Sequence, residues 1–355
     1  MNTDAISKIC KDGNINLNIE VNIRLKIKDN IFQPGTLRVH LPAPINAEWL
    51  KEGQLVDADP FFRMMSVEDY PQRSAYFNEI MSENKPFSIT YAFTSEHALV
   101  TPEENAVNAV EQKTFSDEEI KKFESLELCG CESYTALAPD KVSIKDVARS
   151  GGIKFSEKHY QFIEQNRILP VTKNASGYEV NKKRDHIGSL ALKIFNTVTD
   201  SYVPTPSETL NMAFVSICRI CGIPARWQGG YELKGEDLSP QTNADAHDWA
   251  MIHLLPYDWI YVDCENARKY GVKHVPGNEL TYRDYFFGNI DPCLVPTASE
   301  PSANLYPAKD YERADKIFNV YGEVELIPDK NTRDGHYEGR GLKPDEFDTE
   351  ISITV

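Results

Sequence analysis

The run Ile15-Asn-Leu-Asn-Ile-Glu-Val-Asn-Ile-Arg-Leu-Lys-Ile27 alternates apolar and polar side chains without a break. A period of two puts every second side chain on one face, so this stretch reads as a long strand with one buried and one wet face. Such a strand needs neighbours along its edges and a second layer over its apolar side. Thr36 to Leu41 and Phe87 to Phe93 have the same character and are separated by turns containing Pro and Gly. Residues 1–115 therefore read as an antiparallel β-sandwich.

From about Ser116 the texture changes to charged, helical segments, Ser116 to Phe123, Ser143 to Ala148 and Ser156 to Asn166, each opened by a Ser able to cap a first turn. They suggest a helical connection over 116–180, with Val171 to Tyr178 as an exposed loop. Ile187, Leu190, Ala191, Ile194, Phe195 and Val198 lie at helical spacing. A second helix is expected to start at Ser207, to carry Leu210, Ala213, Phe214, Ile217, Cys218 and Cys221 on one face, and to stop at Gly222-Ile-Pro224. Strand-like runs come next at Ala225 to Leu233, Trp249 to Leu255 and Trp259 to Cys264. A helix followed by antiparallel strands gives an α+β core over 181–300, with C-terminal strands over 301–355 packing on the core or the sandwich.

The formal net charge is −16, from 54 acidic and 38 basic residues. That field repels phosphate backbones and anionic lipid headgroups, which argues against nucleic acid as a partner. No apolar run reaches the roughly 20 residues of a membrane span, and Met1 to Asn14 lacks the apolar stretch of a secretory signal, so a cytoplasmic location is expected. The 7 cysteines are odd in number and scattered, and are expected to be reduced. The close pairs Cys129-Gly-Cys131 and Cys218-Arg-Ile-Cys221 lack two further ligands at zinc spacing, so no metal is expected. Cys218 and Cys221 read as small core hydrophobes.

The segment Cys218-Arg-Ile-Cys-Gly-Ile-Pro-Ala-Arg226-Trp-Gln-Gly-Gly-Tyr231 resembles that of bacterial transglutaminase-like proteins in which the nucleophile's helix ends and the next strand begins. His247-Asp-Trp249 and Pro256-Tyr-Asp-Trp259-Ile-Tyr-Val-Asp263 resemble the family's His strand and Asp strand. Tyr285 to Pro292, Leu305 to Lys309 and Gly322 to Glu325 are similar to segments C-terminal to the core in two-domain members, which also carry an N-terminal β-sandwich. The resemblance covers residues 180 to 330 best. It implies a papain-type transglutaminase-like core without metal or cofactor, acting on peptide or amide bonds through a Cys-His-Asp triad. His247 and Asp263 match the base and the orienting carboxylate. Counting 15 residues back from Gly222 reaches Ser207, which stands where the family has its cysteine. Trp249, Trp227 and Asp248 fall beside this site as substrate-binding candidates.

Each of these residues also has a plainer role. Ser207 followed by Glu208 is a helix start signal, and a cysteine-to-serine change made to trap substrate would leave the same residue. His247 and Asp263 could be a hydrogen-bonded core pair. Trp227, Trp249 and Trp259 either wall a cleft or fill the core. Asp248 and Asp245 beside the site would suit acid/base glycoside chemistry if they faced an open cleft. Cys264 succeeds Asp263 on what reads as a strand, where it should face away from the site. Three functions are compatible with these residues: a hydrolase or acyl-transfer enzyme with Ser207, His247 and Asp263 as a variant triad; a catalytically inactive protein binding a peptide or glycan; and a glycoside hydrolase. The substrate is accordingly a peptide or an oligosaccharide.

Overall fold

The alternating run forms a strand over Asn14–Ile27, with every second side chain buried from Ile15 to Ile27. The computed structural model describes residues 1–45, 47–66, 70–112, 114, 153, 155–175, 177–181, 186–233, 241–242, 244–314, 317, 320–329 and 339–355, with backbone alone at 52, 241 and 242. In chain order the elements are α1 (Thr3–Asp12), β1 (Asn14–Ile27), β2 (Gly35–Pro42), β3 (Leu50–Asp59), β4 (Met64–Met65), β5 (Ser74–Met81), β6 (Phe87–Ala98), α2 (Glu104–Asn108), α3 (Glu157–Gln165), β7 (Val171–Asn174), β8 (Gly177–Val180), α4 (Ile187–Ser201) and α5 (Leu210–Ile220). They continue with β9 (Ala225–Leu233), β10 (Gln241–Thr242), β11 (Ala244–Leu254), β12 (Asp258–Val262), α6 (Cys264–Tyr270), α7 (Tyr282–Tyr285), β13 (Phe287–Gly288), β14 (Val295–Ala298), β15 (Glu323–Pro328), β16 (Arg340–Gly341) and β17 (Phe347–Thr354).

Among the described residues there are three five-stranded sheets, in the orders β10-β17-β1-β6-β3, β16-β15-β2-β5-β4 and β13-β12-β11-β9-β14, and a β7-β8 pair. Neighbours in them run antiparallel, and the fold is mixed α and β. In the first two sheets, strands from the first hundred residues pair with strands from the last thirty-five or so: Ile23 faces Ile351, and Val39 faces Val324. Phe77 of β5 and Phe87 of β6 meet edge to face, 5.4 Å between ring centres, and join those two sheets in one apolar core. The third sheet carries α5 against β9 and β11, and that packing positions the site. Leu210, Ala213, Phe214, Ile217, Cys218 and Cys221 are all buried there, as the spacing requires.

Two local expectations change. Val171 to Tyr178 is not a loop but a hairpin, closed by Asn174 opposite Gly177, whose φ of 128° suits glycine. The N-terminal side holds a helix, α1, for which the alternation gives no sign. It starts because Asn2 Oδ1 accepts the Ala5 N–H at 2.9 Å, and ends at Gly13 with φ 78°. The segments Ser116 to Phe123 and Ser143 to Ala148, with Cys129 and Cys131, lie outside the described residues. Among the described residues no helix is long and apolar enough to cross a membrane.

At Gly230, on β9 between β11 and β14, an added Cβ would sit 1.9 Å from the Val295 carbonyl oxygen. Backbone cannot yield as a flexible side chain does, so Gly230→Ala must part the two strands. The expected cost is about 3 kcal/mol, the upper range for overpacking, read as a lowered urea midpoint. An unchanged midpoint would show that β14 gives way freely.

Candidate active site

His247 lies on β11 opposite Gly230 of β9, where no side chain competes for space. Alternation along β11 sends His247 and Trp249 to one face and Asp248 to the other, toward α5. β12 ends at Val262, and Asp263 turns the chain into α6 as its N-cap, Oδ1 accepting the Asn266 N–H at 3.0 Å. Cys264 therefore opens a helix rather than ending a strand. It is fully buried, and burial, the largest cause, pushes its thiol well above the ordinary value, which disqualifies it as a ready thiolate.

The same Asp263 carboxylate accepts from His247 Nε2 at 2.7 Å and from Asn266 Nδ2 at 2.8 Å. Asn266 Nδ2 also donates to Glu232 Oε1 at 2.8 Å, so both its hydrogens are spent on carboxylates. Asn211, on the first turn of α5, ties the helix to the pair: its Nδ2 donates to the Asp248 carbonyl at 2.7 Å and its Oδ1 accepts the Cys264 N–H at 2.8 Å. Asp263 is fully buried and His247 is 6% exposed, so water screens their attraction little. Burial alone would push the His247 pKa down, but the Asp263 charge and then Glu232 outweigh it and raise it to about 10. Burial would raise Asp263, and the His247 charge and hydrogen bond overcome it, so its carboxyl sits below the usual range. At neutral pH the pair is an imidazolium and a carboxylate. The second ring nitrogen, Nδ1, has no partner among the described residues.

Ser207 does not open the helix. It is exposed, in the turn at Pro206–Ser207, and α5 begins at Leu210. The cap is Thr209, whose Oγ1 accepts the Met212 N–H at 3.1 Å and donates to Asp248 Oδ2. Glu208 is drawn out of the helix by three donors: His159 Nε2 at 2.6 Å, the Tyr202 hydroxyl at 3.0 Å and the Thr205 N–H at 3.4 Å. These anchors fix the approach to α5 and leave Ser207 at its outer edge.

Trp227, Trp249 and Asp248, expected to meet substrate, are buried at 0%, 0% and 2% exposure. Their polar atoms are paired internally: Trp227 Nε1 donates to Asp248 Oδ2 at 2.5 Å, and Trp249 Nε1 to Gln228 Oε1 at 3.0 Å. They support the strands from inside. Burial, the largest cause, raises the Asp248 carboxyl to about 6. Asp248 is enclosed at 2% exposure and, three residues along the same strand, points to the opposite face from Asp245, so the two do not form the open carboxylate pair that glycoside chemistry needs. Asp245 is half-buried. Asn211, Asn266 and Thr209 are site residues that the sequence reading does not single out. An Asn three residues after an N-cap Asp carries a signal for Asn266, whereas a polar residue inside the apolar run of α5 gives none for Asn211.

Residues 206–264 match the model of the Transglutaminase-like superfamily, a span that includes Ser207, His247 and Asp263. No curated protein matches the chain. A solved structure described as a proposed cysteine protease, from Cytophaga hutchinsonii, aligns over 96% of this chain and 100% of its own, with 14% identity and a TM-score of 0.41.

Proposed function

We propose that the chain is a transglutaminase-like hydrolase or acyl-transfer protein directed at peptide or amide carbonyls, with Ser207, His247 and Asp263 in the roles of nucleophile, base and orienting carboxylate. The observation that carries it is the buried His247–Asp263 pair at 2.7 Å, inside the segment that matches the superfamily. In this reading Asp263 holds Nε2 as a donor, which leaves Nδ1 as the nitrogen to act on a reacting group. In the forward step Ser207 Oγ attacks the carbonyl carbon, its proton passes to Nδ1, and the imidazolium returns that proton to the leaving amine. Only a neutral ring can accept the serine proton. With the His247 pKa raised to about 10, turnover should climb as pH rises toward that value.

A second reading, a protein that binds its peptide without turning it over, is favoured by the exposed turn that holds Ser207 and by the protonated state of His247 at neutral pH. A cysteine suits that state better than a serine does, because a thiolate can form beside an imidazolium. Hydrolysis and amine exchange of a peptide-amide panel between pH 6 and 10 separate the two readings. Under the first, Ser207→Ala and His247→Ala each lose roughly 10²–10⁴-fold, and the wild-type rate rises with pH. Turnover indifferent to Ser207 would sink its role as nucleophile. Activity confined to Ser207→Cys would establish the second reading.

A further inference from the structure

Glu232, on β9, shares a face of the core sheet with His247. Gly230 stands directly opposite His247, and two residues further along β9 Glu232 stands opposite Asp245, two residues before His247 on β11, so alternation puts both acidic side chains on the histidine's side. Like charges directly across an antiparallel pair are destabilising, and here the pair is kept next to the imidazolium of His247. Glu232 is tied into that position. Its Oε1 accepts from Asn266 Nδ2 at 2.8 Å, and the Met1 ammonium lies 3.5 Å from the same oxygen. Asn266 Nδ2 in turn donates to Asp263 Oδ2 at 2.8 Å and lies 3.3 Å from His247 Nε2. One amide nitrogen therefore holds two carboxylates beside one imidazole. Only 13% of the Glu232 side chain is exposed, so water screens its charge little.

We propose that Glu232 is a positioning residue for His247, which keeps the Asn266 amide donating to Asp263 and, by its own charge, moves to higher pH the point at which the ring becomes free to accept a proton. The consequence for turnover rests on the reading of His247 as the base, whereas the effect on the ring does not. Among the described residues, the charged groups that reach His247 are Asp263 and Glu265 from α6, Glu232 from β9 and Asp248 from its own strand. Glu232 itself meets the Met1 ammonium, Asp245 across the strand pair, Lys269 and Glu265 on α6, and Asp291. After the charge of Asp263, that of Glu232 does most to hold the ring protonated. Unlike Asp263 it makes no direct hydrogen bond to the ring, so its charge can be removed with the contact between His247 and Asp263 at 2.7 Å left in place. Glu232→Gln does this, and its side-chain oxygen can still accept from Asn266.

A ¹⁵N NMR titration of the His247 ring in the full chain, wild type beside Glu232→Gln and Glu232→Asp, tests this without need of turnover. Glu232→Gln is expected to lower the midpoint by at least about one pH unit, and Glu232→Asp, which keeps the charge on a shorter side chain, by less than about half of that. A role confined to packing would move the melting temperature and leave the midpoint in place. That result would overturn the proposal, as would equal shifts in the two variants. Where peptide amides are turned over, the rising limb of rate against pH should move down together with the ring, so that Glu232→Gln is about tenfold faster than wild type at pH 7. A shifted ring without Ser207-dependent turnover would sink the catalytic reading and leave the role of Glu232 standing. An unshifted ring beside Ser207-dependent turnover would do the reverse.

Discussion

Replacing Asp263 by asparagine is expected to bring the pKa of His247 from about 10 to below 7. Burial already works against the imidazolium, and without the Asp263 charge only the weaker fields of Glu232 and Asp248 remain to support it. A drop of about three units corresponds to about 4 kcal/mol of lost preference for the charged ring. A ¹⁵N NMR titration of the His247 ring reads this directly, and a value still near 10 would mean that Glu232 and Asp248 hold the proton. The consequence for stability has a defined sign. A folded pKa raised above the ordinary 6.5 contributes stability that is fully present below 6.5 and is lost as pH rises through about 10. Asp263 is shifted down, so its own contribution is present above the ordinary carboxylate range and fades as pH falls below it. The stability gap between wild type and Asp263→Asn should therefore be widest between those limits and narrow toward pH 10.

Glu323→Ala is expected to cost about 3–5 kcal/mol, the usual penalty for stripping one partner from a buried ion pair. Glu323, on β15, is 0% exposed and accepts from Lys309 Nζ at 2.6 Å and the Ala314 N–H at 2.7 Å, with Arg313 Nε at 3.5 Å. The Lys309 side chain is itself 4% exposed, so its charge would remain enclosed without this carboxylate. His40, opposite Glu323 on β2, is buried and kept neutral first by desolvation and then by the nearby charges of Lys309 and Arg313. It cannot take over the role. Urea denaturation measures the loss. Adding Lys309→Met should recover part of it, because removing both partners costs less than stranding one.

The strands and helices legible in the sequence carry strong local periodicity. β1 and β9 fall within a residue of the expected bounds, and α4 extends the expected helix by three residues. The start of α5 departs from expectation because Ser207-Glu208 and Thr209 are both good start signals, and the choice between them depends on distant partners of Glu208, His159 and Tyr202. Cys264 departs from it because a strand and the first turn of a helix look alike over a few residues until the capping role of Asp263 is known. His247 and Asp263 are legible as a pair through their motifs. Their support Asn211 is not, since its hydrogen bonds reach residues more than fifty positions away and leave no local trace, whereas Asn266, three residues after the capping Asp263, has a local signal. The burial of Trp227 and Trp249 is equally undetermined by the sequence, because an aromatic side chain suits a wall and a core alike.

The pairing of β1 with β17, Glu20 beside Thr354, has a consequence for how the molecule is made. A chain emerging from the ribosome presents β1 well before β17, and β6 can cover one edge once residue 98 has appeared. The other edge, with its row of unanswered N–H and C=O groups, stays open through the synthesis of the whole α-helical and β core that lies between. Open edges of long alternating strands recruit other chains, and sheet closure by such distant segments is slow. The edge of β1 from Glu20 to Ile27 is therefore exposed to such recruitment until β17 has been made.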